Sequence, residues 1–139
     1  MTIDHTVLLI TKDPSHPLAS LSLRYARAYL HSIVANGNDA SENKSLKLFF
    51  YADAAHIANR LRWQSADQSN LTAQWQELAA EYSQPLPVCV STALSRGISD
   101  ANNSARHQLS GDNLAAGFEL VGLGELAMML QGNCRLLQF

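Results

Sequence analysis

The sequence is short of the residue pairings that build metal sites and of the charge that grips nucleic acid. Its two cysteines, Cys89 and Cys134, lie far apart, and neither has a close-spaced partner of the kind a zinc site needs. The five histidines (His5, His16, His31, His56 and His107) show no metal-ligand spacing either. Ten Lys and Arg stand against twelve Asp and Glu, a formal net charge of −2, with no basic block to hold a phosphate backbone. The apolar runs are far too short to cross a bilayer. Met1–His5 lacks the basic stretch and long apolar core of a signal peptide. A cytoplasmic location is therefore expected, in which both cysteines stay reduced thiols.

What is there is an ordinary globular composition. The 139 residues are 47% hydrophobic and 16% charged, enough for one domain with a real core and no repeat, low-complexity tract or internal boundary. Continuous apolar runs, Thr6–Thr11 and Leu46–Tyr51, read as strands covered on both faces. Leu86–Val90, Phe118–Val121 and Cys134–Phe139 supply three more strands.

Between the strands lie helical patterns. Leu18, Leu21, Tyr25, Tyr29 and Ile33 form one apolar stripe, with Arg24, Arg27 and His31 between them. Asn36-Gly37 ends that helix, and Asn38–Ser45 reads as a polar loop. Ala52–Leu61 reads as a helix and Gln64–Asn70 as a polar linker. Leu71, Trp75, Leu78 and Tyr82 make a single-face core stripe. Ser91–Ser95 is a short helix closed by Gly97, Ser99–Leu109 is compatible with another, and Leu123, Leu126, Ala127 and Leu130 form the last stripe. This alternation predicts an α/β fold: a five-stranded, mainly parallel sheet with helices on both faces.

In such sheets reactive groups gather beyond the carboxyl ends of the strands. Cys89 lies at the end of the third strand, with Ser91 placed to cap the next helix. Partial positive charge and free N–H groups at a helix start favour a thiolate, the reactive form of sulfur. The same cysteine also reads as a small hydrophobe packed in a strand. Cys134 opens the fifth strand, at the opposite edge, and reads as a buried structural thiol that cannot reach Cys89 for a disulfide. His16 and His56 follow the first and second strands and approach the edge of Cys89. Each is a candidate for stabilising a thiolate or moving a proton, or is simply a solvated histidine.

Two signatures fail on spacing. A phosphatase-type loop needs Arg six residues after its cysteine, where this chain has Ser95, with Arg96 one position late. Gly122-Leu123-Gly124-Glu125-Leu126-Ala127 fits G-x-G-x-x-A, but no acidic residue follows Glu125 to bind a ribose. Its glycines read as a tight strand-to-helix turn.

Pro87–Ile98 ("PVCVSTALSRGI"), Asn113–Ala127 ("NLAAGFELVGLGELA") and Cys134–Phe139 ("CRLLQF") together resemble the sulfur-relay branch of the DsrE/DsrF-like sulfurtransferases. The likeness runs through the whole chain in element order. The Lys12–Pro17 loop is poorer in glycine, and the polar segment Asn38–Lys44 longer, than that family usually shows. The resemblance implies a persulfide carrier at Cys89, with Ser91, His16 and His56 as candidate supporting residues, and neither metal nor organic cofactor. It implies assembly with TusB- and TusC-type subunits as a dimer of heterotrimers. Sulfane sulfur would arrive from a TusA-type donor and leave to a TusE-type acceptor, finally reaching the wobble uridine of tRNA as 2-thiouridine. The protein would not bind the tRNA itself. Two other readings stay open: a DsrE-type subunit of sulfur oxidation, and a non-catalytic scaffold subunit.

Overall fold

The computed structural model describes residues 3–36 and 45–139. The loop expected at Asn38–Ser45 lies outside them except for Ser45, which opens a strand, and Gly37 lies outside them as well. Five strands form one sheet: β1 (His5–Ile10), β2 (Ser45–Phe50), β3 (Leu86–Cys89), β4 (Phe118–Val121) and β5 (Cys134–Gln138). Every pairing is parallel, in the order β4-β3-β2-β1-β5. The predicted sheet is thus present, and wholly parallel.

That order distributes the helices unequally. From β1 to β4 the chain always steps in the same direction across the sheet, so right-handed crossovers place the intervening helices on one face. These are α1 (Pro17–Ala35), a 3-10 helix (Ala52–Ala58), α2 (Leu71–Tyr82), α3 (Val90–Ser95) and α4 (Ala101–His107). From β4 the chain steps back over the whole sheet to β5, which puts α5 (Leu123–Met129) alone on the other face. The side chains agree. Leu8, Ile10, Leu46, Leu48, Phe50, Leu86, Val88 and Phe118 join Leu23, Leu30, Trp75 and Leu78 in the main core. The alternate residues Val7, Phe49 and Cys89 are equally buried but stand outside that cluster. On their face, His5 Nε2 meets the Met129 carbonyl at the end of α5.

Local chemistry accounts for the element ends. His16 caps α1, its Nδ1 accepting the Leu18 N–H at 3.1 Å, and Pro17 follows at a first-turn position where its missing N–H costs nothing. Asn70 Oδ1 caps α2 through the Ala73 N–H at 3.1 Å, and Asp100 Oδ1 caps α4 through Asn103 at 2.8 Å. Gly97, with φ +77°, closes the α3 turn as its type foretells. Pro87 has no N–H for the ladder, and β2 registers with β3 only at Phe50–Val88.

Three expectations change. The α1 stripe is rotated: Ala19, Ser22, Leu23, Ala26 and Leu30 are buried, Leu21 is exposed, and Tyr25, Tyr29 and Ile33 flank the core. Small residues let the helix axis approach the sheet, and the tyrosines fill the margin, Tyr25 lying 5.8 Å from Phe139 between ring centres. Ala52–Leu61 is a 3-10 helix ending at Ala58. Its residues Ala54, Ala55, Ile57 and Ala58 are buried, and the Ala58 carbonyl is taken by the Ala115 N–H at 2.7 Å. The final stripe does not enter a core. No residue of α5 is fully buried, and Leu123 and Met128 are 49% and 67% exposed.

Trp75 anchors the main core. It is fully buried, edge-on to Phe50 at 5.1 Å between centroids, and among the described residues its indole N–H has no partner. Trp75→Ala is expected to cost about 3–5 kcal/mol in urea unfolding. Trp75→Phe should cost markedly less, because it removes an unsatisfied donor along with the lost area.

Candidate functional site at the carboxyl edge of the sheet

Cys89 ends β3 and is the N-cap of α3. It has extended backbone angles (φ −61°, ψ 119°), as an N-cap requires, and the first turn of α3, whose N–H groups have no acceptor within the helix, follows it directly. Its side chain makes no capping bond; the Thr92 hydroxyl instead donates to the Cys89 carbonyl at 3.2 Å. Alternation along β3 sends Leu86 and Val88 to the main core and Pro87 and Cys89 to the face of α5. There Cys89 registers with Val121, the last residue before the turn into α5. It is 1% exposed. Among the described residues no side chain hydrogen-bonds its sulfur.

Cys134 begins β5 opposite His5, at the amino edge of the sheet. The two thiols are free and occupy opposite ends of parallel strands. Cys134 is only half-buried, so the reading of it as a buried thiol is corrected: β5 is an edge strand, with β1 on one side and no strand on the other among the described residues.

The supporting candidates fare differently. Ser91 is not the cap, because α3 starts one residue earlier than its pattern indicates; Ser91 sits exposed inside the first turn. His16 and His56 do reach the carboxyl edge, but neither hydrogen-bonds to Cys89. His16 is exposed, with Nδ1 committed to the α1 cap. His56 is half-buried in the 3-10 helix and acts electrostatically on Asp13. Arg96 turns from the cysteine to Asp53, 3.0 Å away, and to the Thr92 carbonyl, tying the end of α3 to the 3-10 helix. This is not phosphatase geometry. Nor do the glycines of the G-x-G-x-x-A stretch meet a steric demand: Gly122 caps α5 at φ −80°, and an added Cβ at Gly122 or Gly124 would meet open space.

Sequence reasoning passed over the carboxylate of this edge. Asp13 Oδ1 accepts the Ser15 hydroxyl at 2.7 Å and the Ser15 N–H at 2.9 Å. The hydroxyl bond leads in holding the Asp13 carboxyl below its usual 3.8, against partial burial, with help from the Ser15 N–H, His56 and Arg62. The signal was present in Asp13-Pro14-Ser15, whose residue types form Asx turns. Among the described residues no group of His, Cys, Asp and Glu could hold a metal ion, and no helix is long and apolar enough to cross a membrane.

Residues 4–139 match the DsrE/DsrF-like family. The chain belongs to the DsrE/DsrF-like family. Its relatives within it include a protein named Sulfurtransferase TusD from Sodalis glossinidius, 36% identical over 139 residues and covering all of both chains. The Sulfurtransferase TusD homolog of Aliivibrio fischeri is 34% identical, over 94% of this chain and 95% of the other. Sulfurtransferase TusD of Pectobacterium carotovorum subsp. carotovorum is 37% identical, over 87% of each. Among solved structures, the YchN protein of E. coli shares the DsrE-like fold over the full length of both chains, with a TM-score of 0.61 and 19% identity.

Two measurements check this geometry. In the native protein a small alkylating reagent should modify Cys134 before Cys89, with mass mapping of peptides as the readout, and unfolding should erase the difference. Asp13 should titrate below 3.8 by NMR, and Ser15→Ala should raise its midpoint. Because the folded carboxyl is the stronger acid, its stabilising contribution is complete above the unfolded pKa and is lost as pH falls through the folded one. Asp13→Asn should therefore flatten the acid limb of the stability curve.

Proposed function

We propose that the protein is a sulfurtransferase subunit that carries sulfane sulfur as a persulfide on Cys89. The observation that supports this most is the position of Cys89, at the carboxyl end of an inner parallel strand and at the N-cap of the next helix. A thiolate there would lie at the positive end of the α3 dipole, and the Thr92 hydroxyl bonded to the Cys89 carbonyl ties down the turn. The membership in a family whose relatives are named sulfurtransferases accords with that placement.

The transfer needs no outside oxidant. The Cys89 thiolate attacks the outer sulfur of a donor persulfide; the bond from Sγ to that sulfur forms as the donor S–S bond breaks. The bonding pair leaves on the donor sulfur as a thiolate. An acceptor thiolate then repeats the step on the Cys89 persulfide and releases Cys89. One cysteine suffices in each protein, which leaves Cys134 at the far edge without a part in the exchange.

In this reading the donor is a TusA-type protein and the acceptor a TusE-type protein, with TusB- and TusC-type subunits completing a cytoplasmic assembly. The sulfur is destined for the 2-thiouridine of tRNA wobble positions. The TusD names of the relatives favour this relay over sulfur oxidation. A scaffold role draws support from one observation, the burial of Cys89. The test separates a sulfur carrier from a scaffold. Incubation with a persulfide donor followed by intact mass measurement should show a one-sulfur increment that Cys134→Ser retains and Cys89→Ser loses. An increment that persists in Cys89→Ser overturns the assignment.

A further inference from the structure

On the main helical face of the sheet, α1 and α2 share a groove of about 400 Å³. Arg24, Arg27, Ala28 and His31 of α1 line it, with Glu81 and Tyr82 of α2. Cys89 belongs to the other face of the sheet, so the groove is no part of the sulfur site.

Its two walls differ in charge. On α1, Arg24, Arg27 and His31 fall at i, i+3 and i+7, one stripe over two turns, roughly 10 Å along the axis. α1 contains no Asp or Glu, so nothing on the helix offsets the two guanidiniums, which repel each other at this spacing. Among the described residues the ion pairs are Arg60–Asp112 and Arg96–Asp53, and Glu81 pairs with neither groove arginine. The α2 wall is negative, from Glu81 and from the carboxyl end of the helix, which closes at Tyr82. Between the charges the surface is apolar. Ala28 and the arginine stems contribute to it, and Tyr82, half-buried against the core, brings an aromatic ring.

That polarity selects the ligand. Two permanent guanidiniums with an imidazole call for a multiply charged anion, and the guanidinium fork matches phosphate oxygens. Free phosphate would leave the apolar surface and most of the volume unused, whereas 400 Å³ is the size of a small-molecule site. Glu81 asks for hydrogen-bond donors, which sugar hydroxyls supply, and Tyr82 for a planar ring. We propose that the α1–α2 groove binds a nucleoside diphosphate. Its phosphates meet Arg24 and Arg27, its ribose hydroxyls Glu81, and its base Tyr82 and Ala28. The assignment stands independently of the sulfur chemistry at Cys89.

The test is calorimetric titration of the full chain with ADP, GDP, CDP and UDP. Inorganic phosphate and the matching nucleoside serve as part-ligands. At least one diphosphate should bind with a sub-millimolar Kd and shift the NMR amide signals of Ala28 and Tyr82. Each part-ligand should bind at least about tenfold more weakly, a loss of about 1.4 kcal/mol. Arg27→Gln should weaken the diphosphate about tenfold, and Arg24→Gln should act in the same direction. Both variants should keep the loading of Cys89 from glutathione persulfide, which reports an intact fold. If loading falls as well, Arg24→Lys and Arg27→Lys decide: they keep the charge and lose the fork, and binding should still weaken. Binding by none of the four diphosphates overturns the site. So does phosphate that binds as tightly as the diphosphate, or affinity that the arginine substitutions leave unchanged. Each of these results leaves the sulfur-carrier reading standing.

Discussion

Side chains on a strand alternate between its faces, and in β3 that alternation divides the molecule. Leu86 and Val88 go to a thick core shared with α1, α2 and Trp75; Pro87 and Cys89 go to the face that one short helix covers. A shift of one residue in β3 would bury the thiol under the main layer of helices. As it stands, the residue lies on the face of α5, in register with Val121 and yet 1% exposed.

The thin side follows from the order of the strands. Four strands laid down in sequence leave their helices together, and a single return crossover leaves α5 alone. The main core, with Trp75 against Phe50 and Phe50 against Phe118, needs nothing from α5. Stability and chemistry thus occupy opposite faces of one sheet. At its carboxyl edge, the Asp53–Arg96 pair and the Thr92 hydroxyl hold α3 in place. The pair is partly solvated and contributes under about 1 kcal/mol, so its effect is to fix geometry.

Much of the fold was legible because the relevant signals are local. The apolar runs of β1 and β2, the Leu71-Trp75-Leu78 stripe and the turn at Gly97 report their own structure. The α1 stripe misled because periodicity counts large residues, whereas a close helix–sheet contact selects small ones such as Ala19 and Ala26. The Leu123–Leu130 stripe misled because an amphipathic pattern marks a helix face without saying that anything lies against it. At the site, Cys89 could be singled out by its place at a strand end. Ser91 was misassigned by one residue, and the use of His16 as a cap depended on where α1 began.

By itself the sequence determined that this is a parallel α/β protein with one thiol at each edge, since strand length, helix period and chain order are written locally. Its motifs were also enough to place it near the DsrE/DsrF-like proteins. Only the tertiary structure decided that the Cys89 sulfur is covered, that it faces away from the main core, and that neither candidate histidine hydrogen-bonds to it. Those are properties of distance between segments remote in the chain, set by the crossover from β4 to β5 and by the packing of three loops at one edge. No local pattern encodes them.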